Sequence, residues 1–255
     1  MRMSRTVVVT GGGRGIGRAI ALAFAEPGTH IIVTSRTASQ LEQTAADIRA
    51  AGADATAIRM DVSDEASVAH GFGMLHGTVT QFDVLVNNAG VGGGEIVQGS
   101  DVQRWKRTLD TNLFGMYLVT RQVLPLMASE GRIVNLSSVL GRFGVPGYTA
   151  YCASKHGVIG FTRALSLEVL KRRITVNAIS PGWVDTEMAI QGWSQGATHA
   201  KVTVDEFKSM MLDDVPIKRV IDPSEVAALV KFLCSKQASA ITGQTYNICG
   251  GQVMS

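Results

Sequence analysis

The period of the apolar residues decides the fold class before any motif does. Short, β-branched apolar runs at residues 6–10, 31–35, 55–60, 84–87, 132–136, 175–179 and 245–248 alternate with stretches of helical spacing near 15–26, 38–51, 65–80, 102–127, 151–171 and 223–235. Such runs belong to strands covered by helices on both faces, and their alternation with helices builds parallel βαβ units. The expected architecture is α/β, a doubly wound parallel sheet of about seven strands. No linker, repeat or low-complexity segment divides the 255 residues, so residues 1–255 read as one domain.

Local signals agree with the periodicity. Asp222-Pro-Ser-Glu225 supplies an N-cap, a proline at the first helical position and a reciprocal capping glutamate. Val226, Leu229, Val230 and Leu233 then share one face and read as core. Two connections are unusual. Residues 90–100 carry Gly92-Gly93-Gly94, and residues 186–216 contain one clear helix start, Thr203-Val-Asp-Glu206. Long connections in compact domains are commonly functional. Trp183, Met188, Trp193, Met210 and Met211 give the second the apolar surface of a lid.

The first strand runs into Thr10-Gly11-Gly12-Gly13-Arg14-Gly15-Ile16-Gly17, which opens a helix. Glycines let the backbone approach a pyrophosphate, which then sits at the positive end of the helix. Strand before and helix after are the context that makes a glycine loop a dinucleotide site. NAD binders place an acid about 20 residues further on to hold the ribose 2′-hydroxyl. This chain has no carboxylate between Glu26 and Glu42, and Ser35 and Arg36 occupy the place. A guanidinium binds a phosphate in a planar fork, so Arg36, with Arg14 from the loop, points to the 2′-phosphate of NADP.

A second cluster lies at Tyr148-Thr-Ala-Tyr151-Cys-Ala-Ser-Lys155. Tyr151 and Lys155, four residues apart, share one helical face. An ammonium beside a phenol favours the phenolate and brings proton exchange towards neutral pH. Tyr148, seven residues before Lys155, shares that face as well, so spacing leaves both phenols open.

Charge and composition exclude other classes. A net charge of +3 and no basic run longer than Lys171-Arg172-Arg173 argue against nucleic acid. That triplet reads as cations at a helix C-terminus. No apolar run approaches the ~18–20 residues of a membrane span. The basic start Met1-Arg-Met-Ser-Arg5 is followed by too short an apolar stretch for a signal peptide. Cys152, Cys234 and Cys249 show no metal spacing and fit reduced thiols, so a soluble, cytoplasmic protein is expected.

Taken in order, Thr10-Gly-x-x-x-Gly15-x-Gly17, Asp61-Val62, Asn87-Asn88-Ala89-Gly90, Asn112, Ser138, Tyr151-x-x-x-Lys155 and Pro181-Gly182 resemble the short-chain dehydrogenases/reductases over nearly the whole chain. The resemblance implies a Rossmann fold and direct hydride transfer between NADP(H) and a carbonyl carbon without a metal. It implies that Tyr151 is the general acid or base, with Tyr148 left as a substrate contact. Lys155 would lower the Tyr151 pKa and hold the nicotinamide ribose. Ser138, rather than its neighbour Ser137, would bind the substrate oxygen, and Asn112, in mid-helix, would help hold a water leading from Lys155 to solvent. Asp61 and Val62 would meet the adenine, Asn88, Ala89 and Gly90 the adenosine side, and Pro181, Gly182, Val184 and Thr186 the nicotinamide. Gly93, Gly94, Tyr148, Trp183, Met188 and Trp193 are the expected substrate contacts.

Within that family the chain is similar to 3-oxoacyl-[acyl-carrier-protein] reductases and to ketoreductases of aromatic polyketide synthesis. Asn247-Ile-Cys-Gly-Gly251, Ser154-Lys-His-Gly-Val158 and the three glycines at 92–94 carry that likeness, although Val91 stands where polyketide enzymes have proline. The implied substrate is a ketone on an acyl thioester, on acyl carrier protein or coenzyme A, or on a polyketide chain. Lys218, Arg219 and residues 171–173 would meet an anionic carrier. The alternatives are a dehydrogenase of a cyclic alcohol, steroid or sugar, and a redox-silent NADP-binding sensor or scaffold. The resemblance also implies a homotetramer formed through the helices beginning near Val102 and Tyr151 and through the apolar segment 246–255.

Overall fold

The computed structural model describes residues 5–254, so the basic start at 1–4 and the last residue of the C-terminal segment lie outside it. Seven strands form one parallel sheet: β1 Arg5–Thr10, β2 Thr29–Ser35, β3 Asp54–Arg59, β4 Phe82–Asn87, β5 Met127–Leu136, β6 Thr175–Pro181 and β7 Thr245–Ile248. Their order across the sheet is β3-β2-β1-β4-β5-β6-β7. The helices between them are α1 Gly15–Ala23, α2 Ala38–Ala50, α3 Glu65–Gly73, α4 Val102–Leu109, α5 Gly115–Val123, α6 Thr149–Glu168, α7 Glu187–Ala200, α8 Val204–Asp213 and α9 Pro223–Leu233.

Strand alternation sorts the apolar side chains into two cores. Val7, Val9, Ile31, Val33, Val84 and Val86 face α1 and α9, where Ile20, Phe24, Val226, Val230 and Leu233 are buried. Val8, Ile32, Leu85 and Ile133 face the other side and meet Val68, Phe72, Leu118, Val119 and Leu165. Full burial of each such side chain stabilises the fold by about 1.5–3 kcal/mol relative to exposure. The α9 capping box forms as the sequence predicts, with Asp222 as N-cap and Glu225 reaching back.

Three elements differ from expectation. The helix expected over 102–127 is broken: Asp110–Phe114 form a π-helical turn between α4 and α5. The helix expected over 65–80 stops at Gly73, within the sequence Gly-Phe-Gly, because glycine is a poor interior residue. The connection 186–216 carries two helices, α7 and α8, packed against each other as a hairpin.

The sheet places the site. Strand order reverses between β1 and β4, and in open α/β sheets ligands bind outside the carboxyl ends of strands at such a switch point. The glycine loop after β1 and residues 88–90 after β4 meet there. The Thr10 hydroxyl accepts from the backbone N–H groups of Asn88 and Ala89, both at 3.0 Å, while the Asn88 side-chain amide donates to Thr10 O at 2.9 Å.

Candidate active site

One cleft of about 280 Å³ runs along this edge. Gly11 and Gly15 adopt φ of +65° and +52°, where only glycine is unstrained. A Cβ on Gly17 would fall 2.2 Å from Gly11 O and 2.4 Å from the Asn88 amide nitrogen. Arg14 is the N-cap of α1 and offers no side-chain cap, which leaves the first N–H groups of the helix facing the cleft.

At the far end, Arg36 lies 3.8 Å from Asp61. The other Asp61 oxygen accepts from Ser63 N at 3.0 Å and Ser63 Oγ at 2.6 Å. Arg14 does not reach this end. Its guanidinium pairs with Glu187, the first residue of α7. That carboxylate was not expected in the site, since no local pattern joins residues 173 apart in sequence.

Among the residues expected at the cofactor, Gly182 and Val184 do not line the cleft. Gly182 packs on Cys249, and Val184 is buried in the core and bridges to Ile221. They position the turn that delivers Pro181 and Thr186. Thr186 caps α7 through Ala189 N and lies against Gly15. Gly13, Thr37, Gln40 and Thr111 also line the cleft and escaped the motif-based reading.

The residues expected to react gather where β5 ends and α6 begins. Tyr151 is in the first turn of α6, and the Ser138 hydroxyl, which accepts from Leu140 N at 3.2 Å, lies near enough to its phenol to favour the phenolate. Ser137 lines the cleft, but its hydroxyl is taken up by Lys155 O, to which it donates at 2.8 Å. Both serines follow the end of β5, so strand alternation does not apply, but a single hydroxyl still faces the phenol. Lys155 is buried, with Nζ 2.8 Å from Leu136 O and 5.6 Å from the centre of the Tyr151 ring. Desolvation lowers its pKa from 10.5 to about 8.

The phenol behaves differently from the expectation that Lys155 lowers its pKa. Burial raises the Tyr151 pKa, and the nearby Ser138 hydroxyl only opposes that rise. Tyr148 is the residue before α6 rather than part of its face, and its ring lies about 3 Å from the position of a Cβ on Gly94. Desolvation raises its pKa too.

Asn112 sits in the π-helical turn and is buried. Its oxygen accepts from Val91 N at 2.8 Å, and its nitrogen donates to Val91 O at 3.0 Å and Ser154 Oγ at 3.1 Å. The side chain therefore clamps the glycine-rich loop to α6. A network that sequence reading missed lies beneath: Asn87 Nδ2 donates to Thr120 and Asn135, and Asn135 Nδ2 to Thr162.

Of the expected substrate contacts, Met188 lines the cleft and lies against Gly92, Tyr148 lies against Gly94, and Gly93 meets Arg104 instead of the cleft. Trp193 does not join them. It is 4% exposed inside the α7–α8 hairpin, with its ring 5.7 Å from that of Trp183 and Lys208 Nζ 4.8 Å from its centre. The hairpin must bury an apolar side of its own, and the two tryptophans provide it.

A family model described as enoyl-(acyl carrier protein) reductase matches residues 11–252. The chain is 38% identical to 3-oxoacyl-[acyl-carrier-protein] reductase FabG of Staphylococcus aureus (strain Mu50), covering 100% of both chains. The chain belongs to the short-chain dehydrogenase/reductase family. Other relatives agree. A putative ketoacyl reductase of Streptomyces coelicolor is 40% identical over 97% of each chain. Among solved structures, a tryptophan variant of actinorhodin polyketide ketoreductase with NADPH superposes with a TM-score of 0.89 at 39% identity, covering 98% of this chain and 97% of that one. Levodione reductase gives 0.91 at 30%, covering 98% of each. This family membership accounts for the seven-stranded parallel sheet and for the order of the motifs.

Proposed function

We propose that the chain is an NADPH-dependent reductase of a ketone on an acyl thioester or polyketide chain. The observation that carries this reading is that the Tyr151 phenol and the Lys155 ammonium line one glycine-walled cleft, with the Ser138 side chain beside the phenol. The names of the relatives, FabG and a polyketide ketoreductase crystallised with NADPH, support the substrate class and the cofactor.

The cleft fits a dinucleotide: the bare glycines let the loop pack directly on Asn88 and Ala89 and on the start of α1, and the N-terminus of α1 is uncapped. Arg36 would hold the 2′-phosphate, exchanging its long contact with Asp61 for a planar fork. When bound, the nicotinamide supplies the hydride. Tyr151 then donates its proton to the carbonyl oxygen, and a phenol held protonated by burial suits the acid role. Ser138 donates to the same oxygen as negative charge develops there. Lys155, with Nζ beside the phenol, returns the proton, and Asn112 holds the loop that closes this end.

The tetramer belongs to this reading. Val102, Trp105, Phe114 and Tyr117 on α4, the π-helical turn and α5, with Leu167 on α6, leave apolar surface exposed on the expected interface helices. A cytoplasmic location is supported by three free, buried cysteines and by the absence, among the described residues, of a helix long and apolar enough to cross a membrane. The basic clusters expected to meet a carrier are largely engaged: Arg172 bonds Leu124 O and Met127 O, Arg173 pairs with Glu130, and Arg219 with Glu225.

The test is Tyr151→Phe, assayed by NADPH oxidation with acetoacetyl thioesters and a cyclic ketone. Turnover should fall by about 10²–10⁴-fold, the usual contribution of a positioned acid, while NADPH affinity stays within about twofold by fluorescence. Turnover above about a tenth of wild type would overturn the assignment.

A further inference from the structure

The loop 90–94 leads outward from the cleft, which Gly90, Val91 and Met188 line. A Cβ on Gly90 would lie 3.6 Å from Lys155 Nζ, one on Gly92 3.3 Å from the Met188 sulfur, and one on Gly94 3.0 Å from the Tyr148 ring. Between them, a Cβ on Gly93 would lie 2.9 Å from a guanidinium nitrogen of Arg104 and 3.8 Å from the Gln195 side-chain oxygen. Gly93 has φ +111°, so the absent side chain and the unusual backbone together let the guanidinium rest on the loop.

Arg104 is half-buried, yet its side chain makes no hydrogen bond or ion pair among the described residues. Arg14, Arg18, Arg36, Arg121, Arg173 and Arg219 each have a carboxylate partner. Glu95, the nearest acid along the loop, pairs with no cation among the described residues. The position is fixed as well: the indole N–H of the next residue, Trp105, donates to Thr149 Oγ1 at 3.4 Å, tying α4 to the start of α6. Three residues of extended chain span at most about 11 Å, which bounds the distance along the loop from Gly90, beside Lys155, to Gly93, beside Arg104.

We infer that Arg104 determines substrate specificity by binding an oxyanion that the ketone substrate carries, either a carboxylate of its chain or a phosphate of its thioester arm. A half-desolvated guanidinium with open donors gains most from a planar, bidentate acceptor. This deepens the ketone-reductase reading and rests on it.

The experiment compares wild type, Arg104→Ala and Arg104→Lys on three thioesters: acetoacetyl-coenzyme A, neutral acetoacetyl-N-acetylcysteamine, and a 3-oxoacyl-N-acetylcysteamine thioester ending in a carboxylate. In Arg104→Ala the KM for an anionic thioester should rise at least tenfold with kcat within twofold, while the neutral thioester is unaffected. Arg104→Lys should fall between, and unchanged NADPH affinity would show that both variants are folded. An effect confined to the coenzyme A thioester identifies the phosphate, and one confined to the acid identifies the chain carboxylate. Equal change on charged and neutral probes, or none on any, overturns the inference. Should wild type reduce only cyclic ketones, the thioester reading fails by itself. A carboxylated cyclic ketone and its methyl ester then replace the probes, with the same tenfold split expected and its absence overturning the role of Arg104.

Discussion

Gly17 in α1 and Gly196 in α7 leave their neighbours the same room. A Cβ on either would come within 2.2 Å of the nearest atom. At Gly17 that atom is the carbonyl oxygen of Gly11, in a loop pinned by Asn88 and by the bond from Gly12 N to Thr34 O. At Gly196 it is the tip of the Phe207 ring on α8, within a hairpin whose helices pack chiefly on each other. Backbone in a hydrogen-bonded loop cannot yield, whereas a ring can turn or a hairpin can tilt. The half expected to hold the cofactor is therefore over-determined by its own backbone, and the half expected to meet the substrate is held by side chains.

The largest effect that this contrast predicts is at Gly17→Ala. NADPH affinity should fall at least 100-fold by fluorescence titration, because the methyl group cannot be placed without moving Gly11 away from the pyrophosphate position. An affinity within threefold of wild type would show that the loop relaxes and would remove the contrast.

The same contrast explains what the sequence made legible. The glycine loop and the Tyr151–Lys155 pair follow from spacing and from one local helix start, so both could be read directly. The break in the helix around Asn112 could not, because the partner Asn112 finds there is Val91, 21 residues away in sequence. The pairing of Arg14 with Glu187 was hidden for the same reason. Helix α7 was missed because Gly192 and Gly196 lower its propensity, and the reason for a glycine at 196 is a contact with Phe207 on another helix. The rise in the Tyr151 pKa depends on burial, which no four-residue spacing reveals.

A stiff cofactor half can also hold a charge at a cost, and Lys155 is the place to measure it. Its pKa is about 8 in the folded protein against an ordinary 10.5. Below pH 8 both the folded and unfolded chains carry the proton, and the cost of the buried ammonium is present in full. Between about pH 8 and 10.5 the unfolded chain binds more protons, so stability contributed by this group rises with pH and then levels off. The shift corresponds to a cost on the order of 3 kcal/mol at pH 7. Lys155→Met should therefore abolish turnover and yet unfold at higher denaturant concentration than wild type at pH 7, with the difference shrinking by pH 10. A variant less stable than wild type at pH 7 would mean that the bond from Nζ to Leu136 O outweighs the desolvation.

The smallest effects belong to the hairpin. Gly196→Ala must displace the Phe207 ring, and such overpacking typically costs about 1–3 kcal/mol. Because α7 carries Met188, which lines the cleft, and Gln195, which lies beside Gly93, the expected readout is a several-fold rise in KM for acyl thioesters with NADPH affinity unchanged. Gly192→Ala is the control within the same helix. Its methyl group would meet the Trp183 ring at 3.4 Å, an ordinary contact, and replacing a helical glycine recovers about 0.5–1 kcal/mol. That variant should keep wild-type kinetics and melt no lower. If Gly196→Ala instead weakened NADPH binding as Gly17→Ala does, the hairpin would be part of the cofactor's own support, reached through Glu187 and Arg14, and the two halves would have to be treated as one mechanical unit.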